Sequence, residues 1–187
     1  MKDGLVETVA HQVNRLSVDV GAAFDDFRAR YERAVPALDA ARLAAFTDWN
    51  TVLQVATKTA PHGFFIYWQA DVTPLMALAG DQSPCVEYLM GNHTFAQRMF
   101  HHDPGVMLYA PLRTAIYLDA QGRTRFSIDQ PSTRFASFGN REIAQVGLEL
   151  DGKLAALLRH LKAPVPPILE TGAKTRARAT GKPGALR

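Results

Sequence analysis

The residues of this 187-residue chain best suited to holding a metal are its six histidines, five methionines and one cysteine, and they are densest between Cys85 and Met107. That stretch holds Met90, Asn92, His93, Met99, His101, His102 and Met107. Imidazole and thioether both serve as axial ligands of haem iron, and imidazole alone suits zinc or copper. One expectation is therefore a haem or transition-metal protein that uses His93, His101 or His102, with Met99 or Met107. The spacing works against it. On a helix through this region His102 shares a face with Phe95 and Met99, whereas His101 points well away. Methionines also fill cores, and histidines at a helix C-terminus meet the negative end of its dipole.

Other common chemistries leave local marks that are absent from the sequence. There is no GxGxxG, GxxxxGK[ST], HExxH or GxSxG, and no paired-cysteine zinc signature. Cys85 has no disulfide partner within the chain. It could form a thiolate pair with a histidine, but without a local signature it reads more simply as an inert strand cysteine. Whether the chain is an enzyme is left open.

A second constellation is apolar. Phe64, Tyr67, Trp68, Tyr88, Phe95 and Met99 supply more bulk than a small core needs and could wall a pocket between sheet and helices, with Asn92, His93 and Arg113 orienting what enters. Arg113, Tyr117, Arg125 and Asp129 share the strand face opposite the core.

These side chains must be placed by elements whose periods are legible. Leu16, Val18 and Val20 alternate with polar residues as a strand does, and Gly21 ends it. Phe24, Phe27, Tyr31 and Val35 recur at helical spacing until Pro36. Helical pieces follow over 38–58, with Leu43, Phe46, Trp49, Val52, Leu53 and Ala56 as core candidates. Phe64 to Trp68 are bulky on both parities, which predicts a strand covered on both faces and lying inside the sheet. A short helix over 72–79 and a strand over 85–90 come next. Thr94 and Gln97 read as a capping box for a helix ending before Pro104. Strands are expected over 106–110, 112–118 and 123–129, the last two joined at Asp119-Ala120-Gln121-Gly122. In that hairpin Thr124, Phe126 and Ile128 should face Leu118, Ile116 and Thr114, while Arg113 meets Asp129 and Tyr117 meets Arg125. Asn140 then caps a helix of about 20 residues carrying one stripe of Ile143, Val146, Leu150, Leu154, Leu157 and Leu161.

The expected class is thus α+β: an antiparallel-rich sheet of about five or six strands, helices packed on it, and a long helix near the C-terminus. A hydrophobic fraction of 47% with 21% charged residues suits one folded domain, here 1–162. Beyond it, 163–187 reads as a disordered basic tail: after Glu170 come Lys174, Arg176, Arg178, Lys182 and Arg187 and no acid. The formal charge of +3 is a property of that tail. Five spread cations without interleaved aromatics argue against nucleic acid as a partner. No apolar run approaches the roughly 20 residues of a membrane span, and a cytoplasmic location is the expectation.

The run from Cys85, CVEYLMGNHTFAQRMFHHDPGVMLYAPLRTAIYLDAQGRTRFSIDQPS, resembles the family called domain of unknown function 302. The matching features are a strand, a Gly-Asn segment opening a helix, an apolar strand running through a proline into a second strand ending near Tyr117, an acidic Gly-containing hairpin and the return strand. The resemblance extends over roughly 63–161. It implies a compact α+β domain that associates as a homodimer, and no general activity. Where many relatives carry proline after the asparagine, this chain has His93, and the stretch from Leu38 to Pro61 is longer than the usual helix. Taken together, the expectation is a homodimeric domain binding a small apolar or aromatic ligand through Asn92, His93, Arg113, Tyr67, Trp68, Tyr88, Phe95 and Met99. A haem or metal protein and a ligand-free interaction module are the alternatives.

Overall fold

The structure, a computed structural model, describes residues 5–170. Among them, five strands form one antiparallel sheet: β1 Arg15–Asp19, β2 Phe65–Asp71, β3 Cys85–Gly91, β4 Leu112–Leu118 and β5 Thr124–Asp129, in the spatial order β1-β5-β4-β3-β2. The helices are α1 Phe24–Ala34, α2 Ala40–Ala44, α3 Trp49–Thr59, α4 Thr73–Ala77, α5 His93–Phe100, α6 Pro131–Phe135 and α7 Arg141–His160. The fold is α+β.

One sheet face is the core. Strand alternation sends Val86, Tyr88 and Met90, then Thr114 and Ile116, then Phe126 and Ile128 to one side, all buried. There α1 contributes Phe27 and Tyr31, and α7 its apolar stripe. The Tyr31 ring lies 4.9 Å from Tyr88 and 5.8 Å from Phe126, and its hydroxyl meets Thr114 Oγ1 at 3.2 Å. The opposite face leaves Arg113 exposed and Ala115, Tyr117 and Ser127 half-buried.

The β4–β5 register is the expected one, with Leu118 opposite Thr124, Ile116 opposite Phe126 and Thr114 opposite Ile128. A slip by one residue would drive Phe126 and Ile128 into water. The turn is organised by Asp119, whose carboxylate accepts from the Gln121 and Arg123 amides at 2.9 and 3.0 Å. Gly122 takes the left-handed conformation, φ 69°. The stripe of α7 is buried as read, and Asn140 caps the helix by accepting from the Ile143 amide at 3.0 Å.

Several expectations are corrected. β2 is an edge strand, not an interior one. Its bulk on both parities has another cause: Phe64 and Ile66 enter the main core, whereas Phe65 and Tyr67 pack with Ala56 of α3 and Ala60 just after it on the other side. Past a bulge between Ile66 and Trp68, Trp68 stands 48% exposed. The free edge is partly paired by the segment before α2, since the Ile66 amide donates to Pro36 O and the Leu38 amide to Ile66 O. Within α2 and α3, Val52 and Ala56 are buried, but Trp49 and Leu53 are exposed.

The apolar run 106–110 is not a strand. Pro104–Leu108 forms a 3-10 turn started by Asp103, whose carboxylate accepts from the Gly105 amide at 2.7 Å, and only Val106 of this turn is buried. The Arg113–Asp129 contact is also replaced: Arg113 Nε pairs with Glu87 at 2.9 Å, and Asp129 pairs with Arg134. Finally, the chain past the expected boundary at 162 still packs, with Ala163 and Leu169 buried in the core. The rest of the expected basic tail, 171–187, lies outside the described residues.

Candidate functional site

The β3–α5 junction places the site. β3 ends at Gly91, and Asn92 turns the chain into α5. The Thr94–Gln97 capping box does not form. Asn92 Oδ1 instead accepts from the Thr94 amide at 2.9 Å and from its hydroxyl at 2.8 Å, so the helix opens at His93. Asparagine is among the best N-caps, and Thr94, committed to it, cannot also serve as one. The Asn92 Nδ2 donates to Gly63 O at 3.1 Å and ties this turn to the start of β2.

Beneath α5 is a partly open chamber of about 90 Å³. Tyr67, Asn92, His93, Phe95 and Met99, all expected site residues, line it, together with Ala96, Met107, Pro111 and Leu150. The close approach of Gly91 to Pro111 shapes one wall: a Cβ on Gly91 would stand 3.2 Å from Pro111 Cβ and 3.6 Å from a Tyr67 ring carbon. The remaining expected residues are elsewhere. Trp68 is on the exposed side of β2 and Tyr88 is sealed in the core, its hydroxyl donating to Glu32 Oε1 at 2.9 Å. Arg113 borders an adjoining surface cleft of about 370 Å³ with Asp129 and Arg134, which shares Met107, Ala110, Pro111 and Leu112 with the chamber.

The chamber has one polar pair. The Tyr67 hydroxyl lies 3.0 Å from His93 Nδ1. Burial pushes the Tyr67 phenol up to about 12, so at neutral pH it keeps its proton and donates, while burial holds His93 below its ordinary value and neutral. With Nδ1 accepting, the imidazole proton sits on Nε2. Phe65 stacks on the His93 ring at 5.8 Å and 11°, and Trp49 meets it edge-on at 6.4 Å. The lining holds no serine, cysteine, carboxylate, lysine or arginine. The arrangement is suited to binding an apolar body with one hydrogen-bonding group.

The three histidines of the metal expectation do not gather. His93 is engaged by Tyr67 at the start of α5, whereas His101 and His102 are exposed beyond its end, their rings 5.4 Å apart and at 76°. Among the described residues no group of three His, Cys, Asp or Glu is placed to hold a metal ion. Cys85 is half-buried, and burial together with Glu87 and Asp71 raises its thiol pKa, the reverse of activation. No helix among the described residues is long and apolar enough to cross a membrane.

What sequence reading missed is the far wall. Pro111, just before β4, joins Phe135 of α6 and Leu150 of α7 there. The stripe of α7 could have nominated Leu150; nothing local marks Pro111 or Phe135.

No curated protein matches the chain. Its fold is similar to the crystal structure of an uncharacterized conserved protein DUF302 from Bacillus stearothermophilus, with TM-score 0.58 and 18% identity over 79% of this chain and 97% of that one. Residues 44–161 match the domain of unknown function DUF302, a span that takes in the end of α2 and all of α3 as well as the stretch from 63 onward. With that match covering well over half of its length, the chain belongs to the DUF302 family.

Proposed function

We propose that this chain is a small-molecule binding protein whose chamber beneath α5 takes one aromatic ring or short branched aliphatic group carrying a single hydrogen-bonding substituent. The observation that carries the reading is the Tyr67–His93 pair, in a chamber whose other polar side chain, Asn92, is engaged by Thr94 and Gly63 and whose remaining walls are apolar. The His93 Nε2–H is the donor offered to the ligand. Size sets the class. About 90 Å³ is less than the roughly 150 Å³ of a cavity known to hold benzene, so a ring must also use the open side. There Met107 is 47% exposed, and methionine side chains yield easily.

Phenol is the smallest probe with both features. Calorimetric titration should give saturable binding, and Ala96→Phe, which fills the chamber from α5, should weaken it at least tenfold without lowering thermal stability. Equal binding by the variant would remove the reading. The protein acts as a homodimer in the cytoplasm on this account. Supporting the dimer is the sheet face carrying Ala115, Tyr117 and Ser127, which no helix of the core layer covers.

A further inference from the structure

A further cavity, of about 430 Å³, opens at the C-terminal end of α7, and its lining shares no residue with the chamber. Arg30 and Arg33 come from the last turns of α1, His62 from the loop after α3, and His160 and Leu161 from the end of α7. Two guanidinium groups and two imidazoles converge, and no acid lines the space. The rings of His62 and His160 are 4.0 Å apart, tilted by 39°.

Arg30 is built in. Its Nη1 donates to Leu161 O at 2.9 Å, its Nε reaches Asp26 O at 3.4 Å, and its guanidinium lies 5.6 Å from the Phe27 ring centre. Arg33 has no ion-pair partner among the described residues. The neighbouring charges do not neutralise the group: Glu170 is committed to Arg159, and Lys162 adds another cation. The helix dipole explains Arg159 and His160, since cations suit a helix C-terminus, but it does not explain Arg33 and His62, which come from other elements. Convergent arginines repel a metal cation and match an oxoanion, which accepts from guanidinium and imidazole N–H groups together.

We propose that Arg30, Arg33, His62 and His160 form a binding site for a phosphate-class oxoanion, distinct from the chamber beneath α5. Occupancy brings proton uptake. His62 is held below its ordinary value by burial and by His160, and a bound anion relieves the repulsion between the two rings.

The test uses the untagged full chain. Inorganic phosphate, titrated against chloride at equal ionic strength, should shift the imidazole proton resonances of His62 and His160 saturably and move the His62 titration midpoint to higher pH. Arg33→Gln should weaken binding at least tenfold, and Arg15→Gln on β1 should leave it unchanged. A parallel arm sediments the chain with phosphatidylcholine vesicles with or without phosphatidic acid. Phosphate-dependent shifts identify the free ion as a ligand. Co-sedimentation that needs phosphatidic acid and is lost in both Arg33→Gln and His62→Gln identifies a lipid phosphate headgroup. Unmoved imidazoles with no such co-sedimentation, or Arg33→Gln behaving as the wild type in both arms, overturn the proposal.

Discussion

Two polar groups, one buried and one half-buried, matter most at the level of single residues. Asp151 of α7 is 2% exposed and serves as the anchor of the β5–α6 turn. Its carboxylate accepts from the Ser132 amide at 3.0 Å, the Ser132 hydroxyl at 2.6 Å and Gln130 Nε2 at 2.7 Å. Burial pushes its pKa up against these donors. Asp151→Ala strands several donors in the interior, each of which costs about 1–3 kcal/mol when left unpaired. The expected loss is about 3 kcal/mol in urea unfolding; a loss below about 1 kcal/mol would show that water replaces the carboxylate. His93 is the contrasting case, an imidazole that burial keeps neutral. Its folded-state pKa lies below the ordinary 6.5, so the unfolded chain takes up that proton first as pH falls. The contribution is whole above about 6.5 and is lost as pH drops through the folded value. The fall in urea midpoint between about pH 7.5 and about 5.5 should therefore be smaller in His93→Gln than in the wild type. An identical fall would mean that the imidazole titrates alike in both states.

Among the elements, the α6–α7 contact shows how packing overrides propensity. Gly147 lies in the middle of α7, where alanine would ordinarily gain about 0.5–1 kcal/mol. A Cβ there, however, would stand 3.0 Å from Ser132 Cα and 3.2 Å from Phe135 Cβ, and Phe135 also lines the chamber. Gly147→Ala should destabilise by about 1–3 kcal/mol in thermal or urea unfolding, and a stabilised variant would show that α6 can withdraw freely. The β4–β5 register and the stripe of α7 were legible because each depends on one period and one buried face. The edge position of β2 was not, because a strand clasped by α3 on one side and the core on the other has the same two-sided bulk as an interior strand. The 104–108 turn was misread for a related reason: its apolar run suggests a strand, yet Asp103 and Pro104 start a 3-10 turn that buries only Val106. Asn92, His93, Phe95 and Met99 were legible because they follow one β3–α5 junction and Tyr67 because of its bulk on β2, whereas Trp68, Tyr88 and Arg113 depended on strand facing and edge position.

For the whole molecule, the core helices cover one face of a five-stranded sheet, while on the other face α3 packs against β2 and the β4–β5 part is the surface proposed for a second copy. Light scattering at micromolar concentration should give twice the 20.6 kDa chain mass, and a single 20.6 kDa species would exclude the homodimer. The chamber beneath α5 meets α7 at Leu150 in mid-helix, whereas the arginine–histidine cavity lies at its C-terminal end, and the two share no lining residue. The central claim concerns the chamber beneath α5, and the methionines report on it directly. Met99 and Met107 line it, whereas Met90 is sealed in the core and Met76 is exposed on α4. Carbon-13 methyl spectra recorded during a phenol titration should show saturable shifts at Met99 and Met107, with Met90 and Met76 unmoved. Unshifted Met99, or equal shifts at all four, would contradict the account.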